Sequence, residues 1–258
     1  MLFSLLLGLA LLAPQASAAE PAPATPSTAP SAGVLPTPQF RRYGTANGLP
    51  SSTVYAVAQA PDGSMWFGTK GGVARYDGVS FKVYRHMADD PRSLRDNGIA
   101  SLVFDRQGRL WAAGLEAGLN RFDPATQAFE HWQHDPGNPD SISSDKIWGM
   151  AVGPDGALWI GTQHGLDRMR PDGSGFDHIA APAPSNDPNG FGAVSSLYLD
   201  PKGRFWIGTD EGVYVRQTDG RIERVPQENP KETISVWTLE GDGDEVRVAS
   251  MHGLLVIG

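Results

Sequence analysis

Hydrophobic positions along the chain fall in short runs broken by turn residues, and the order of runs and turns repeats. One copy reads Ile147-Trp148-Gly149-Met150-Ala151-Val152, Pro154-Asp155-Gly156, Leu158-Trp159-Ile160-Gly161-Thr162, Gly165-Leu166-Asp167-Arg168 and Phe176-Asp177-His178-Ile179. An earlier copy runs through residues 54–58, Pro61-Asp62-Gly63, Met65-Trp66-Phe67-Gly68-Thr69, Gly72-Val73-Ala74-Arg75 and Phe81-Lys82-Val83-Tyr84. Each copy predicts four short strands. The runs are rich in β-branched and aromatic residues, and Asp-Gly marks a tight hairpin because glycine takes positive φ without a Cβ clash.

The tryptophans at the centre of each copy, Trp66, Trp111, Trp159 and Trp206, follow one another at intervals of 45, 48 and 47 residues. A unit of about 40–50 residues with four antiparallel strands is a propeller blade, so the fold expected is an all-β propeller. A fifth unit spans residues 234–258, with Arg247-Val248-Ala249-Ser250 in place of the tryptophan motif and Gly253-Leu254-Leu255-Val256 as its third strand. Phe40-Arg41-Arg42-Tyr43 resembles the fourth-strand segments and precedes the first unit. It could complete the last blade and remove a free sheet edge, closing a five-bladed ring. The apolar Leu255-Val256-Ile257-Gly258 instead suggests further blades, which is the expectation preferred.

Three regions are read. Residues 1–18 are apolar with an Ala16-Ser17-Ala18 cleavage pattern, as in a secretory signal peptide, although no Lys or Arg precedes the apolar run. Residues 19–38 are Pro, Ala, Ser and Thr with hardly a charge, the composition of a disordered tether. Residues 39–258 hold the propeller. Cysteine is absent, which excludes disulfides, thiolate nucleophiles and Cys-ligated zinc. The formal net charge of −8 argues against nucleic acid or an anionic membrane surface as partner.

The succession Gly48-Leu49-Pro50-Ser51-Ser52-Thr53-Val54, Asp62-Gly63, Trp66-Phe67-Gly68-Thr69, Gly71-Gly72-Val73 and Arg75-Tyr76-Asp77-Gly78 closely resembles the two-component regulator propeller repeat. Blade entries recur at Ser93-Leu94-Arg95-Asp96-Asn97-Gly98-Ile99 and at Ser141-Ile142-Ser143-Ser144-Asp145-Lys146-Ile147. The resemblance implies the periplasmic sensor region of a histidine kinase or diguanylate cyclase, with a ring usually of seven blades. Such a parent would be anchored in the inner membrane by a segment beyond the residues given. It also implies a small-molecule ligand, in some relatives a saccharide, and admits a homodimer. The match is looser where Val215 and Val256 replace the arginines seen at 75, 121 and 168.

The candidate ligand residues follow from the repeat. The turns between second and third strands place Lys70, Glu116, Gln163, His164, Asp210, Glu211 and His252 in one register with unlike chemistry, which is how a rigid scaffold carries recognition. Tyr55 and Trp148 each lie eleven residues before their blade's tryptophan, with Ala100, Ser195 and Val236 at the equivalent places. An aromatic there either stacks on a flat ligand at the channel or packs between blades. The repeated tryptophans are read as core, and Arg75, Arg121 and Arg168 as a structural ion pair or backbone hydrogen bond between blades.

No catalytic residue, metal or cofactor is expected. His131 and His134 are three apart but lead into a loop, unlike a zinc pair, and the Asp-Gly turns at 62, 155 and 219 lack the acidic spacing of a calcium loop. Two alternatives stay open. One is a free-standing secreted enzyme, a lyase or glycoside hydrolase, using acids and histidines at the channel mouth; the other is a protein-binding scaffold.

Overall fold

Every hairpin expected from the turn residues forms. The computed structural model describes residues 40–182, 190–227, 234–243 and 245–258; the signal-peptide and tether regions, 1–18 and 19–38, lie outside the described residues. The first blade is β1 (Val54–Gln59), β2 (Met65–Thr69), β3 (Gly72–Tyr76) and β4 (Phe81–Tyr84), and the second is β5 (Ile99–Phe104), β6 (Leu110–Gly114), β7 (Leu119–Asp123) and β8 (Ala128–Trp132). The third is β9 (Ile147–Val152), β10 (Leu158–Thr162), β11 (Gly165–Met169) and β12 (Phe176–Ile179), and the fourth is β13 (Val194–Leu199), β14 (Phe205–Thr209), β15 (Gly212–Arg216) and β16 (Ile222–Arg224). The fifth has three strands, β17 (Val236–Asp242), β18 (Glu245–Ser250) and β19 (Gly253–Ile257). All pairings are antiparallel between sequence neighbours, so each blade is an up-and-down sheet.

Successive blades pack through their first strands, β1 on β5, β5 on β9, β9 on β13 and β13 on β17. These four strands and β17 form the inner wall. Each interface holds its own core, and the tryptophan of one blade fills the gap to the next. Trp66 packs with Ile99 and Phe122, Trp111 with Ile147 and Phe176, Trp159 with Val194 and Phe205, and Trp206 with Val236 and Val248. The indole N–H groups are satisfied by the turns: Trp111 Nε1 donates to Asp105 at 2.9 Å, Trp206 Nε1 to Asp200 at 3.0 Å and Trp66 Nε1 to the Ser64 hydroxyl at 3.2 Å. Arg75 and Arg168 close on Asp62 and Asp155, and Arg121 on Glu130, so these arginines are structural ion pairs made within a blade and not between blades.

The glycine of the Trp-x-Gly-Thr motif has a steric reason. A Cβ on Gly161 would lie 2.7 Å from the Val194 carbonyl oxygen, and one on Gly68 would lie 2.9 Å from that of Ile99. The inner strand of the next blade rests on that bare backbone.

Residues 40–43 are not a strand, and among the described residues no fourth strand joins the fifth sheet. Tyr43 lies against the first blade instead, its ring 5.2 Å from Tyr76 and 5.9 Å from Phe81. Of the segment's two aromatics, Tyr43 packs its ring on that outer hairpin and Phe40 stays 99% exposed, so a single ring contact places the segment. The outward faces of the end blades remain apolar and open, with Val57 at 55% and Val256 at 56% exposure. Arg247, where the other blades have tryptophan, sits on that open face and reaches Asp242 at 3.5 Å. Among the described residues no helix is long and apolar enough to cross a membrane.

Candidate functional site

Four of the five tips between second and third strands are built one way. The second blade, with Gly114 in place of the hydroxyl residue, holds its tip by backbone bonds, Gly114 N–H to the Gly118 carbonyl at 3.0 Å and Leu115 N–H to the Gly98 carbonyl at 2.8 Å. In the third blade the Thr162 hydroxyl donates to the Gly165 carbonyl at 3.1 Å and accepts from the His164 backbone N–H at 3.1 Å. Thr69, Thr209 and Ser250 repeat both bonds in the first, fourth and fifth blades. A further backbone bond ties each tip to the segment entering its blade, from Lys70 to Thr53, Gln163 to Lys146 and Asp210 to Ala193. The third-strand glycine makes the turn possible, since Gly72 and Gly165 both take φ of +118°. Fixed backbone leaves Lys70, Glu116, His164, Asp210 and His252 exposed and Gln163 and Glu211 half-buried.

The rim is not one continuous site. Glu116, Gln163 and His164 come together between the second and third blades, around a cavity of about 380 Å³ that also takes His134, Asp145 and Lys146. Lys70, Asp210, Glu211 and His252 each stay on their own blade's tip and do not line it. The Asp210 side chain is committed locally, accepting from the Ala193 N–H at 2.9 Å. His134 and His164 are shared with a second cavity of about 540 Å³, whose wall includes Ile142, Leu166, Asp167 and His178.

Inner-strand aromatics are set by a β-bulge. Every first strand breaks register once, between Val54 and Ala56 in the first blade and between Val236 and Thr238 in the fifth, and the skipped residue turns out of the ladder. Tyr55 and Trp148 occupy that place, 46% and 37% exposed. In the fifth blade it is Trp237, 63% exposed, and not Val236, which is buried. Motif spacing misplaces the position because the β17–β18 hairpin is one residue shorter: Glu240 pairs with Arg247, whereas Ala58 pairs with Trp66. The wall thus alternates Tyr55, Ala100, Trp148, Ser195, Trp237. Ser195 Oγ donates across to the Val236 carbonyl at 2.6 Å.

A polar cluster in the third blade also escapes a reading by tips. Asp167, on β11, is buried and accepts from the Ser143 N–H and hydroxyl, both at 2.8 Å, and from His178 at 2.7 Å. The sequence signal for it is an acid at the strand position held by Ala74 in the first blade and Tyr214 in the fourth. Among the described residues no three His, Cys, Asp or Glu side chains group closely enough to hold a metal ion.

These features define a rigid propeller with varied rim tips and an aromatic-bearing inner wall. Three segments, residues 48–71, 141–164 and 190–211, match the model of the Two component regulator propeller, so the repeat identified from the tryptophan motifs is shown. A stretch of 55 residues is 34% identical to histidine kinase P4 from Formosa agariphila, covering 21% of this chain and 4% of that protein. Among solved structures, the extracellular domain of the hybrid two component system BT3049 from B. thetaiotaomicron superposes with a TM-score of 0.70 at 21% identity, over 84% of this chain and 30% of that one. The extracellular domain of BT4673 from the same organism gives 0.61 at 18%, over 79% and 27%. Virginiamycin B lyase from Staphylococcus aureus gives 0.59 at 15%, over 81% and 67%. At these identities the likenesses show the propeller fold. The chain spans less than a third of the length of these two extracellular domains.

Proposed function

We propose that the chain is the ligand-binding part of an extracytoplasmic sensor, exported to the periplasm and belonging to a transmembrane signalling protein of histidine kinase or diguanylate cyclase type. The observation that carries this reading is the division of labour at the rim. The Thr162 hydroxyl fixes the third blade's tip and backbone bonds at Gly114 and Leu115 fix the second's, which leaves Glu116, Gln163 and His164 to differ around one cavity. The similarity to the extracellular domains of a hybrid two component system and of a one component system, and to a histidine kinase, supports the signalling role.

The ligand is a small molecule with flat faces, of which an oligosaccharide is the first class to test, held between the rim tips and the wall of Tyr55, Trp148 and Trp237. Further blades cover the apolar faces at Val57 and Val256, and the ligand shifts how propellers orient or pair, with a homodimer as the responding unit. Anchoring in the inner membrane falls to a segment beyond the residues given. Isothermal titration of the exported region with a panel of neutral and acidic oligosaccharides tests the site. The Trp148→Ala, His164→Ala double variant should weaken any ligand found by at least about tenfold, the cost of one lost aromatic or hydrogen-bonded contact. Unchanged affinity in a folded double variant would remove both residues from the site.

A further inference from the structure

His178, on β12, sits opposite Asp167 and makes two bonds of one kind. Its Nδ1 lies 2.7 Å from Asp167 Oδ1 and its Nε2 lies 2.9 Å from the backbone carbonyl oxygen of Pro139. A carboxylate and a carbonyl can only accept, so both ring nitrogens must carry hydrogen, and only the imidazolium does. Pro139 belongs to the segment that crosses from the second to the third blade. That segment is also tied down by Arg170, which bonds Asp140 at 2.6 Å, and by the Phe176 N–H, which donates to the Asp140 carbonyl at 3.0 Å.

The second blade supplies a comparison within the same molecule. His131 stands opposite Asn120 as His178 stands opposite Asp167. Asn120 uses its amide N–H₂ on the Ala112 carbonyl, so its oxygen faces His131 Nδ1 at 2.9 Å, and His131 Nε2 is buried with no hydrogen bond of full geometry, although the Pro91 and Ser93 backbone near the ring favours its charged form. One donated bond suits a neutral ring. Burial and the nearby Arg95 cation hold the His131 pKa below the ordinary imidazole value. For His178 burial also opposes the charge, but Asp167 and the Pro139 carbonyl outweigh it and raise the pKa.

We propose that His178 is a pH-dependent clasp: protonated, it bridges the buried Asp167 carboxylate to the Pro139 carbonyl and holds the crossing segment 134–143 on the third blade, and deprotonated it lets go of that segment. The clasp stands independently of the sensor reading. Because the segment walls the 540 Å³ cavity, the protonation state of one ring sets the shape of that cavity. Other charged and titratable groups nearby are Arg170 and Asp177, Asp140, Asp135 and His134 on the crossing segment, and His164 on the tip. Arg170 is itself paired with Asp140 and Asp177, and Asp167 is the acid bonded to the ring. Since the folded pKa is raised, the clasp is fully closed below about pH 6.5 and opens as the pH rises through the folded value.

The test is an NMR titration of the histidine rings in the whole chain, with amide exchange of segments 134–143 and 86–95 followed from pH 5.5 to about 8.5. His178 should titrate above His131, and the protection of 134–143 relative to 86–95 should fall about three- to tenfold as His178 loses its proton. Asp167→Asn, which copies the second blade, should bring His178 below about 6.5 and flatten that change. The reverse variant Asn120→Asp should raise His131, and it serves if Asp167→Asn does not fold. A wild-type His178 titrating at or below His131, or a protection ratio constant with pH, would overturn the clasp.

Discussion

At the scale of single residues, the repeat motif is a set of contacts that each tolerate one chemistry. Gly161 lies under Val194 of the next blade, and an added Cβ would meet that backbone oxygen at 2.7 Å. Gly161→Ala should therefore destabilise the chain by about 1–3 kcal/mol, read as a lower urea midpoint, because the obstacle is backbone and cannot step aside. Asp105 shows the same economy. It is buried beneath Trp111 and accepts from the indole, from Arg109 Nε at 2.6 Å and from backbone N–H groups. Burial raises its pKa, but these donors more than offset that and hold the carboxyl below its usual range, as they do for Asp200. Carboxylates with a lowered folded pKa stabilise above the unfolded value and lose that contribution as the pH falls through the folded one. Unfolding curves should hence show a loss of stability below about pH 4 that Asp105→Asn reduces in size, while itself costing about 1–3 kcal/mol near neutrality.

At the scale of strands and turns, the legible and illegible parts of the sequence separate by mechanism. Hairpins were readable because Asp-Gly and the Trp-x-Gly-Thr run announce both ends of a strand in the first and third blades, while the second and fourth keep a glycine at the turn, Gly108 and Gly203, and the tryptophan after it. Phe40-Arg41-Arg42-Tyr43 misled because a fourth strand and an aromatic segment lying on a hairpin have the same composition, and only the partner surface at Tyr76 and Phe81 decides. The bulge position was visible in four blades and lost in the fifth, where the hairpin is shorter by one residue and Trp237 takes the place expected for Val236. The Pro139 bond of His178 could not be read, since that carbonyl comes from the crossing segment 39 residues earlier, whereas Asp167 faces His178 across one hairpin. Exposure of Trp148 and Trp237 against the buried Trp66, Trp111, Trp159 and Trp206 gives a direct check. Acrylamide should quench a distinct fraction of the tryptophan emission, and Trp237→Phe should remove the larger share of that fraction.

Across the whole molecule, stability resides between blades. Each of the four interblade cores joins residues of two sheets, so no blade buries its apolar faces alone and unfolding should spread through neighbours. Trp159→Ala empties the core between the third and fourth blades and should cost about 3–5 kcal/mol, with amide protection lost in both blades and kept longest in the first. A merely local effect, confined to β10, would contradict this division of the core. The same arrangement separates what must stay constant from what can change. Tip side chains on the rim bear none of the interblade packing, and their backbone is pinned by a neighbouring carbonyl and, in every blade but the second, by a threonine or serine hydroxyl. The rim therefore works like a row of sockets: a lineage can exchange the residue in one socket and acquire a new chemical vocabulary without renegotiating the fold beneath it.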